Sequence, residues 1–411
     1  MKMSEILAAA GGKRQAVCGL VLALPCLLLG TAVASPRYHG IAVPPGARHA
    51  WAVMKDSVAI YHSSDFGVTW EFQPVWTIRD FSDVFFLDSL QGWTCGALGA
   101  IFRTTDGGSD WRQQNLGGPF FCTRIRFLNH TTGWATGIQT WLMRTATGGN
   151  DWKAYMLPHP PYHTDSVHLQ GLAVVAPDTA WFVAGNCGEW GPAHDSGQGY
   201  IVRTTNAGDS WELVAKNHLY DFFDVAFTDS RSGFVVGGED RNWKAYMART
   251  TDGGRGWFSA TIPHQARFLR SICFASSRHG WACGLNGTVV HTSDGGASWQ
   301  LQDSPVDDTL FDIEFCDTLH GMIAACAGVL RTTDGGWTWT QAFPAIAETP
   351  EPGRTPPLHP TVMSRAQLRA GLLADPSLSV FDAAGRRVFA PKSGVFFLRS
   401  AAATRRVLVA H

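Results

Sequence analysis

Phe102-Arg103-Thr104-Thr105-Asp106-Gly107-Gly108-Ser109-Asp110-Trp111 is the stretch that decides the fold of this 411-residue chain. A short β-type run ends in the pattern Ser/Thr-x-Asp-x-Gly-x-x-Trp. The pattern stands complete at Ser63/Asp65/Gly67/Trp70, Thr104/Asp106/Gly108/Trp111, Thr250/Asp252/Gly254/Trp257, Thr292/Asp294/Gly296/Trp299 and Thr332/Asp334/Gly336/Trp339. Two degenerate copies fill the gap, Thr145/Thr147/Gly149/Trp152 and Thr204/Asn206/Gly208/Trp211. Successive tryptophans are 41, 41, 59, 46, 42 and 40 residues apart. Self-similarity at a nearly fixed period of this size marks a repeat architecture.

A second signature precedes each copy, a Gly-Trp or its relative, at Trp51, Trp93, Trp134, Trp181, Phe234, Trp281 and Met322. In the second unit, Val84–Phe86, Trp93–Cys95, Ile101–Thr104 and Trp111–Gln113 read as four strands separated by Gly- and Asp-rich turns. Four short antiparallel strands per unit describe a propeller blade. The expected fold is all-β, a seven-bladed β-propeller over 35–343, with no strand exchange closing the ring. Within the turn, Asp accepts backbone N–H bonds, Gly supplies unusual backbone angles and Trp packs between strands at the blade's edge. Asp65, Asp106, Thr147, Asn206, Asp252, Asp294 and Asp334 therefore read as structural. So do their tryptophans, Trp70, Trp111, Trp152, Trp211, Trp257, Trp299 and Trp339. Chemistry needs a convergent pair of carboxylates, not one per blade.

These turns resemble the Asp-box, or bacterial neuraminidase repeat. The strand-and-turn runs at Phe102–Gly108, Arg249–Gly254 and Arg331–Gly336, with the Gly-Trp strand, resemble the photosystem II assembly and stability factor family of seven-bladed propellers. The resemblance implies the fold and not a photosynthetic role.

The ends read differently. Lys13 and Arg14, the apolar run Ala16–Leu29 and Ala32-Val33-Ala34 before Ser35 are expected to form a signal peptide, residues 1–34. Six prolines between Pro344 and Pro360 read as an extended linker over 344–360. Residues 361–411 are expected to form a small antiparallel β-sandwich. There Leu378–Val388, Ser393–Leu398 and Arg405–Val409 resemble a type IX secretion sorting domain, with Phe381 and Phe396 where Tyr is usual and Arg406 in place of Lys. That resemblance implies export across an outer membrane through the type IX machinery, so the protein is expected to be secreted or held at the cell surface. The net charge of −1 hides an acidic body of −9 over 35–360 and a tail of +6. Neither is the footprint of a nucleic-acid binder. No later run is apolar and long enough to span a bilayer.

Differences between blades point to function. Insertions fall before Trp181, between Trp181 and Trp211, and between Phe234 and Trp257, all on one sector of one face. They carry His159, Tyr162, His163, Glu189, Trp190, His194, Asp195, Asp240, Arg241 and Trp243. Two tryptophans among mixed charges on a rigid scaffold suit a protein or glycan contact. His159, His163 and His194 or Glu189 match no known ligand spacing, so neither a metal nor a cofactor is expected. Of 17 tryptophans, only Trp190 and Trp243 lie in insertions.

The expected function is an exported, non-enzymatic propeller that binds a protein or glycan. The alternative is a glycoside hydrolase of the sialidase or xyloglucanase kind, using Glu189 with Asp195 or Asp240. Against it, Arg103, Arg144, Arg203, Arg249 and Arg331 occupy one recurrent strand position and form no triad. The seven cysteines after residue 34 leave at least one unpaired, and a Cys273–Cys283 bridge is conceivable.

Overall fold

The computed structural model describes residues 37–55, 59–75, 80–114, 121–157, 167–186, 199–239, 242–326 and 328–344, and strands within 361–410. The chain divides into two compact units, Met1–Ile346 and Ala347–His411. In the first unit, seven four-stranded sheets follow one another, each built from four consecutive strands in up-and-down order. This is the expected seven-bladed propeller. No sheet borrows a strand from the far end of the chain, so the ring closes by contacts between blades and not by strand pairing.

The second unit contains one sheet of four strands, Thr361–Ser364, Ser379–Asp382, Gly394–Arg399 and Thr404–Ala410. Its first and last strands pair in parallel. The sandwich, the linker after Pro344 and the signal segment lie outside the described residues.

The core is divided among the blade interfaces. Seven apolar clusters each join two neighbouring blades, including one between the last blade and the first. A four-stranded sheet cannot bury both faces by itself, so each blade completes its neighbour's core. At five of the interfaces the chemistry is nearly identical. The Gly-Trp ring of one blade lies flat on a Phe that ends the next blade's inner strand. Trp51 stacks on Phe86 at 3.5 Å, Trp93 on Phe127 at 3.6 Å and Trp281 on Phe315 at 3.6 Å. Trp181 on Phe227 and Phe234 on Phe274 are looser, at 5.0 and 4.9 Å.

The turn tryptophans correct one expectation. At five of the interfaces they pack against the inner strand of their own blade and reach beyond it. Each lies at the interface with the preceding blade, because that is where the flat Phe leaves an edge uncovered. At the five stacked interfaces the turn Trp meets this Phe edge-on: Trp111 on Phe86 at 89°, Trp152 on Phe127 at 86°, Trp257 on Phe227 at 89°, Trp299 on Phe274 at 82° and Trp339 on Phe315 at 89°. Trp299 also touches the Phe234 ring edge-on at 6.0 Å. Trp211 meets Trp134 and Phe182 instead, at 5.8 and 5.5 Å. Trp70 has no such Phe and packs on the cluster that joins blade seven to blade one. Burial varies accordingly: Trp111, Trp299 and Trp339 are buried, while Trp70, Trp152, Trp211 and Trp257 are half-buried.

The Phe explains the glycine of Gly-Trp. A Cβ on Gly92 would lie 2.4 Å from the Phe86 ring, and one on Gly133 2.5 Å from Phe127. Gly233, Gly280 and Gly321 meet Phe227, Phe274 and Phe315 in the same way. The repeated unit is thus Phe-x-Asp/Asn/Ser-x-x-x-Gly-Trp. Its third residue caps the turn: Asp88, Asn129, Asp229, Ser276 and Asp317 each accept two backbone N–H bonds.

The Asp-x-Gly turn docks on that cap. The N–H of Gly107 donates to Leu90 and that of Gly335 to Leu319. Within the turn, Thr104 Oγ accepts from Gly108 N–H at 2.8 Å, and Asp106 accepts from Asp110 N–H at 3.0 Å. Outward, the Gly107, Gly148 and Gly335 carbonyls accept the indole N–H of Trp51, Trp93 and Trp281 from the preceding blade. Hydrogen bonds from Thr69, with one from Ser63, bring Asp65 to about 2, while Ser298 and Thr292 hold Asp294 far down.

Residue 66 breaks the pattern. The position after the turn Asp has a left-handed backbone in every blade and is otherwise Gly or Ala. In blade one it is Phe66, at φ 57°, buried, with its ring edge-on to His320 of blade seven at 5.2 Å. The interface between blades seven and one lacks the aromatic stack. Met322 stands where the Trp should be, and the inner strand of blade one, Tyr38–Ala42, ends without a Phe. Phe66 occupies that seam at a cost of about 1 kcal/mol or more in backbone strain. Arg331 donates to its carbonyl at 3.2 Å and Gly46 N–H donates to Cys316 at 3.4 Å.

Gly133→Ala is expected to lower unfolding free energy by about 1–3 kcal/mol through overpacking against Phe127. Phe127→Ala should cost about 3–5 kcal/mol by emptying the stack. Urea unfolding followed by tryptophan fluorescence measures both.

Candidate binding face and axial charge cluster

The seven inner strands converge on the axis with one shared irregularity. Each has a bulge near its start, so one residue is extra to the pairing: His39, Ser82, Thr123, Gln170, Phe223, Arg270 and Phe311. A bulge re-aims side chains and is common at functional rims. The next residue on each strand forms a second layer: Gly40, Asp83, Arg124, Gly171, Asp224, Ser271 and Asp312. Two residues on, a third layer holds Ala42, Phe85, Arg126, Ala173, Ala226, Cys273 and Glu314.

The second layer plugs the axis. Arg124 reaches Asp312 at 2.9 Å, Asp224 at 3.6 Å and Asp83 at 3.8 Å, and all four are buried. Arg126 pairs with Asp83 at 2.6 Å and with Glu314 at 3.8 Å. Each aspartate also accepts a backbone N–H from the next blade: Asp83 from Ile125, Asp224 from Ile272 and Asp312 from Ile41. The last of these closes the ring. Burial pushes Asp83 and Asp224 up despite both arginines. For Asp312 burial is outweighed, and Arg124 and Arg126 hold it low. Burial, with Asp312 and Asp83 nearby, pushes the Glu314 carboxyl up to about 8. These carboxylates are spent on structure, so they are poor candidates for a general acid–base pair.

The first layer opens on the face of the second-to-third-strand loops. His39 stacks on Phe311 at 4.7 Å, and the Arg270 guanidinium lies over Phe311 at 5.2 Å and Phe223 at 5.1 Å. Phe223 meets Phe268 edge-on at 5.0 Å, and Phe268 meets Trp243 at 6.5 Å. A line of rings and cations thus runs from the axis outward to Trp243. Trp243 is 54% exposed and has φ 54°. The N–H of Phe268 donates to its carbonyl at 2.8 Å. Lys244, His264 and Arg267 are exposed nearby in sequence, and Lys244 and Arg267 pair across a bridge. A strained, fixed, exposed aromatic beside cations is the form of a binding anchor.

Of the ten candidate binding residues, Trp243 alone is described, and it lies on the expected face. His159, Tyr162, His163, Glu189, Trp190, His194, Asp195, Asp240 and Arg241 lie outside the described residues. Among the described residues no group of three or more His, Cys, Asp or Glu could hold a metal ion, and no helix is long and apolar enough to cross a membrane. The repeat arginines take up one station per blade. Arg103, Arg144 and Arg203 lie over Trp93, Trp134 and Trp181, and Arg249 over Phe234. His62 and His291 stand there in blades one and six, stacked on Trp51 and Trp281. The Cys273–Cys283 bridge is absent: Cys273 pairs with Trp281 and Cys283 with Ser271, and both thiols are free. The axial cluster and the Arg270–Phe pair are not evident from sequence, although one charged residue near an inner-strand start in Asp83, Arg124, Asp224 and Asp312 is a legible signal.

Arg124→Met should cost about 3–5 kcal/mol, since the buried Asp312 and Asp224 lose their arginine and Asp83 keeps only Arg126. Glu314 binds its proton more tightly folded than unfolded, so its neutral form favours the fold at low pH. That contribution fades as pH rises from the unfolded value near 4.5 to about 8. Glu314→Gln should therefore leave stability little changed at pH 5 and raise it by about 1–2 kcal/mol at pH 9, the discount reflecting a side chain still partly exposed to solvent. Thermal unfolding across that range checks the sign.

Comparison with known proteins came down on the same architecture. Residues 63–162 and 203–303 match the family model described as photosynthesis system II assembly factor YCF48. Over 141 residues the chain is 30% identical to the photosystem II assembly lipoprotein Ycf48 of Synechococcus sp. (strain CC9902). That alignment spans 33% of this chain and 40% of the relative. Among solved structures, a YCF48 bound to a D1 peptide superposes with TM-score 0.54 at 18% identity, covering 76% of this chain and 99% of that one. The YCF48 of Cyanidioschyzon merolae gives TM-score 0.55 at 18% identity over 74% and 97%. Virginiamycin B lyase from Staphylococcus aureus gives TM-score 0.55 at 14% identity over 73% and 94%, so the same ring also carries enzymes. The chain is a seven-bladed β-propeller with YCF48-like repeats over just under half its length.

Proposed function

We propose that this chain is an exported protein-binding scaffold whose contact face is the loop face around Trp243. The observation that carries the reading is the fixed, exposed Trp243 at the outer end of the Phe268–Phe223–Arg270–Phe311–His39 line. Aromatic anchors beside Arg dominate protein contacts. The cations Lys244, Arg267 and Arg270 favour a partner segment with acidic groups. A related propeller fold has been solved with a peptide of D1, which supports a peptide ligand over a glycan. The inserted loops with Trp190, Asp240 and Arg241 would extend the same sector. Export through the signal segment 1–34, and sorting by the type IX machinery through 361–411, complete the proposal and rest on sequence alone.

The test is binding of the full chain to an array of acidic and neutral peptides, with a glycan array alongside. Trp243→Gly relieves the positive φ, so the fold should be kept. Peptide capture should fall at least about tenfold, as for an interface hot spot. Retained capture, or capture of glycans alone, would overturn the assignment. Mass spectrometry of protein recovered outside the cell should lack the sequence beyond the linker, and an intact His411 would count against sorting.

A further inference from the structure

We infer that the seam between blades seven and one is a binding pocket for a small organic carboxylate with an apolar body. A cavity of about 380 Å³ opens there, on the face of the Asp-x-Gly turns and away from Trp243. Its size falls within the range of small-molecule sites. The cause is legible in the repeat. Five interfaces are filled by a Trp or Phe lying on a Phe, whereas here the smaller Met322 and Val43 take those two positions, and Phe66 packs beside them.

The lining combines an apolar wall with open donors. Ala47, Phe66 and Val68 supply the wall, Arg48 and Arg331 the cations, and the His320 ring lies beside them. Two aspartates also line it, but their oxygens are taken. Asp65 accepts from Ser63 Oγ, Thr69 N–H and Thr69 Oγ at 2.8, 2.8 and 2.6 Å. Asp317 accepts from Leu319 N–H, His320 N–H and the His320 ring at 2.7, 2.8 and 2.8 Å. Arg331 spends one nitrogen on the Phe66 carbonyl. Arg48 is exposed, and among the described residues no hydrogen bond or ion pair engages its guanidinium. Both aspartates stay ionised but their oxygens are engaged, while the Arg48 guanidinium keeps its donors open, so the pocket offers an anion a hydrogen-bonding partner at Arg48. Guanidinium geometry favours a planar carboxylate, and the wall favours an apolar body behind it.

The experiment uses the full chain with 3-phenylpropionate as probe, 3-phenylpropanol as its neutral isostere and acetate as the bare anion. Ligand-observed NMR and isothermal titration give the dissociation constants. Saturable binding of 3-phenylpropionate, at least about tenfold tighter than that of either control, is expected. Arg48→Ala should weaken it about tenfold or more. Val68→Trp should block it by filling the mouth. Blade seven already carries Trp337 at the equivalent turn position, so the variant should fold, and an unchanged unfolding midpoint verifies this. No saturable binding at 20 mM (about the weakest affinity worth the name), equal binding of the alcohol, or insensitivity to both variants would overturn the proposal. Peptide capture at the Trp243 face is read separately, so either result leaves the other standing.

Discussion

A blade has two apolar faces and no interior of its own, and everything else in this molecule follows from that. The stack of a strand-two ring on the next blade's Phe is the unit that resolves it. The Phe ring lies so close that the residue beneath must be glycine. The ring's indole N–H then reaches the following blade's turn carbonyl in three of the blades. A single contact type therefore sets the spacing between sheets, the glycine of the repeat and the docking of its turn. Burial of rings this size is worth several times the net gain of any one hydrogen bond in the turn.

The axis poses the opposite problem. Inner strands meeting around a centre leave polar backbone facing a narrow channel. Here three aspartates each take a neighbour's N–H, and Arg124 gathers the three carboxylates. The network fixes the angular order of blades two, three, five, six, seven and one. Burial, reinforced by a surplus of acids over arginines, is why Glu314 holds its proton so high.

Much of this was written in the chain. The period and the Asp-x-Gly turn gave the number of blades, because every blade needs the same turn and so repeats it. The Trp of Gly-Trp was visible for the same reason. What lies under it was not: Phe86, Phe127 and Phe315 look like ordinary strand residues until the register sets them against a ring from the previous blade. The partner of each turn Trp was hidden with them, so Trp70, Trp152 and Trp299 showed their role in the repeat but not the interface they fill. The axial charges were obscured differently, since Asp83, Arg124, Asp224 and Asp312 come from four distant strands and meet only when the ring closes. On the loop face, sequence insertions point to one sector and to Trp243, but Phe223, Arg270 and Phe311 belong to regular strands. Their place in the first axial layer comes from a bulge, and a one-residue bulge leaves no composition signal.

Closure without strand exchange has a mechanical meaning. The protein is a linear stack of seven units bent until its ends meet, and its end-to-end joint is built differently from the others. Six joints hold by large buried rings; the last relies on a methionine, one strained phenylalanine, an aspartate and an arginine. In a stack of repeats each joint contributes its own share of stability, so a joint built differently can open independently of the rest. Whatever occupies the gap at that joint acts as a wedge on the whole ring's diameter, and so on the axial mouth at its centre.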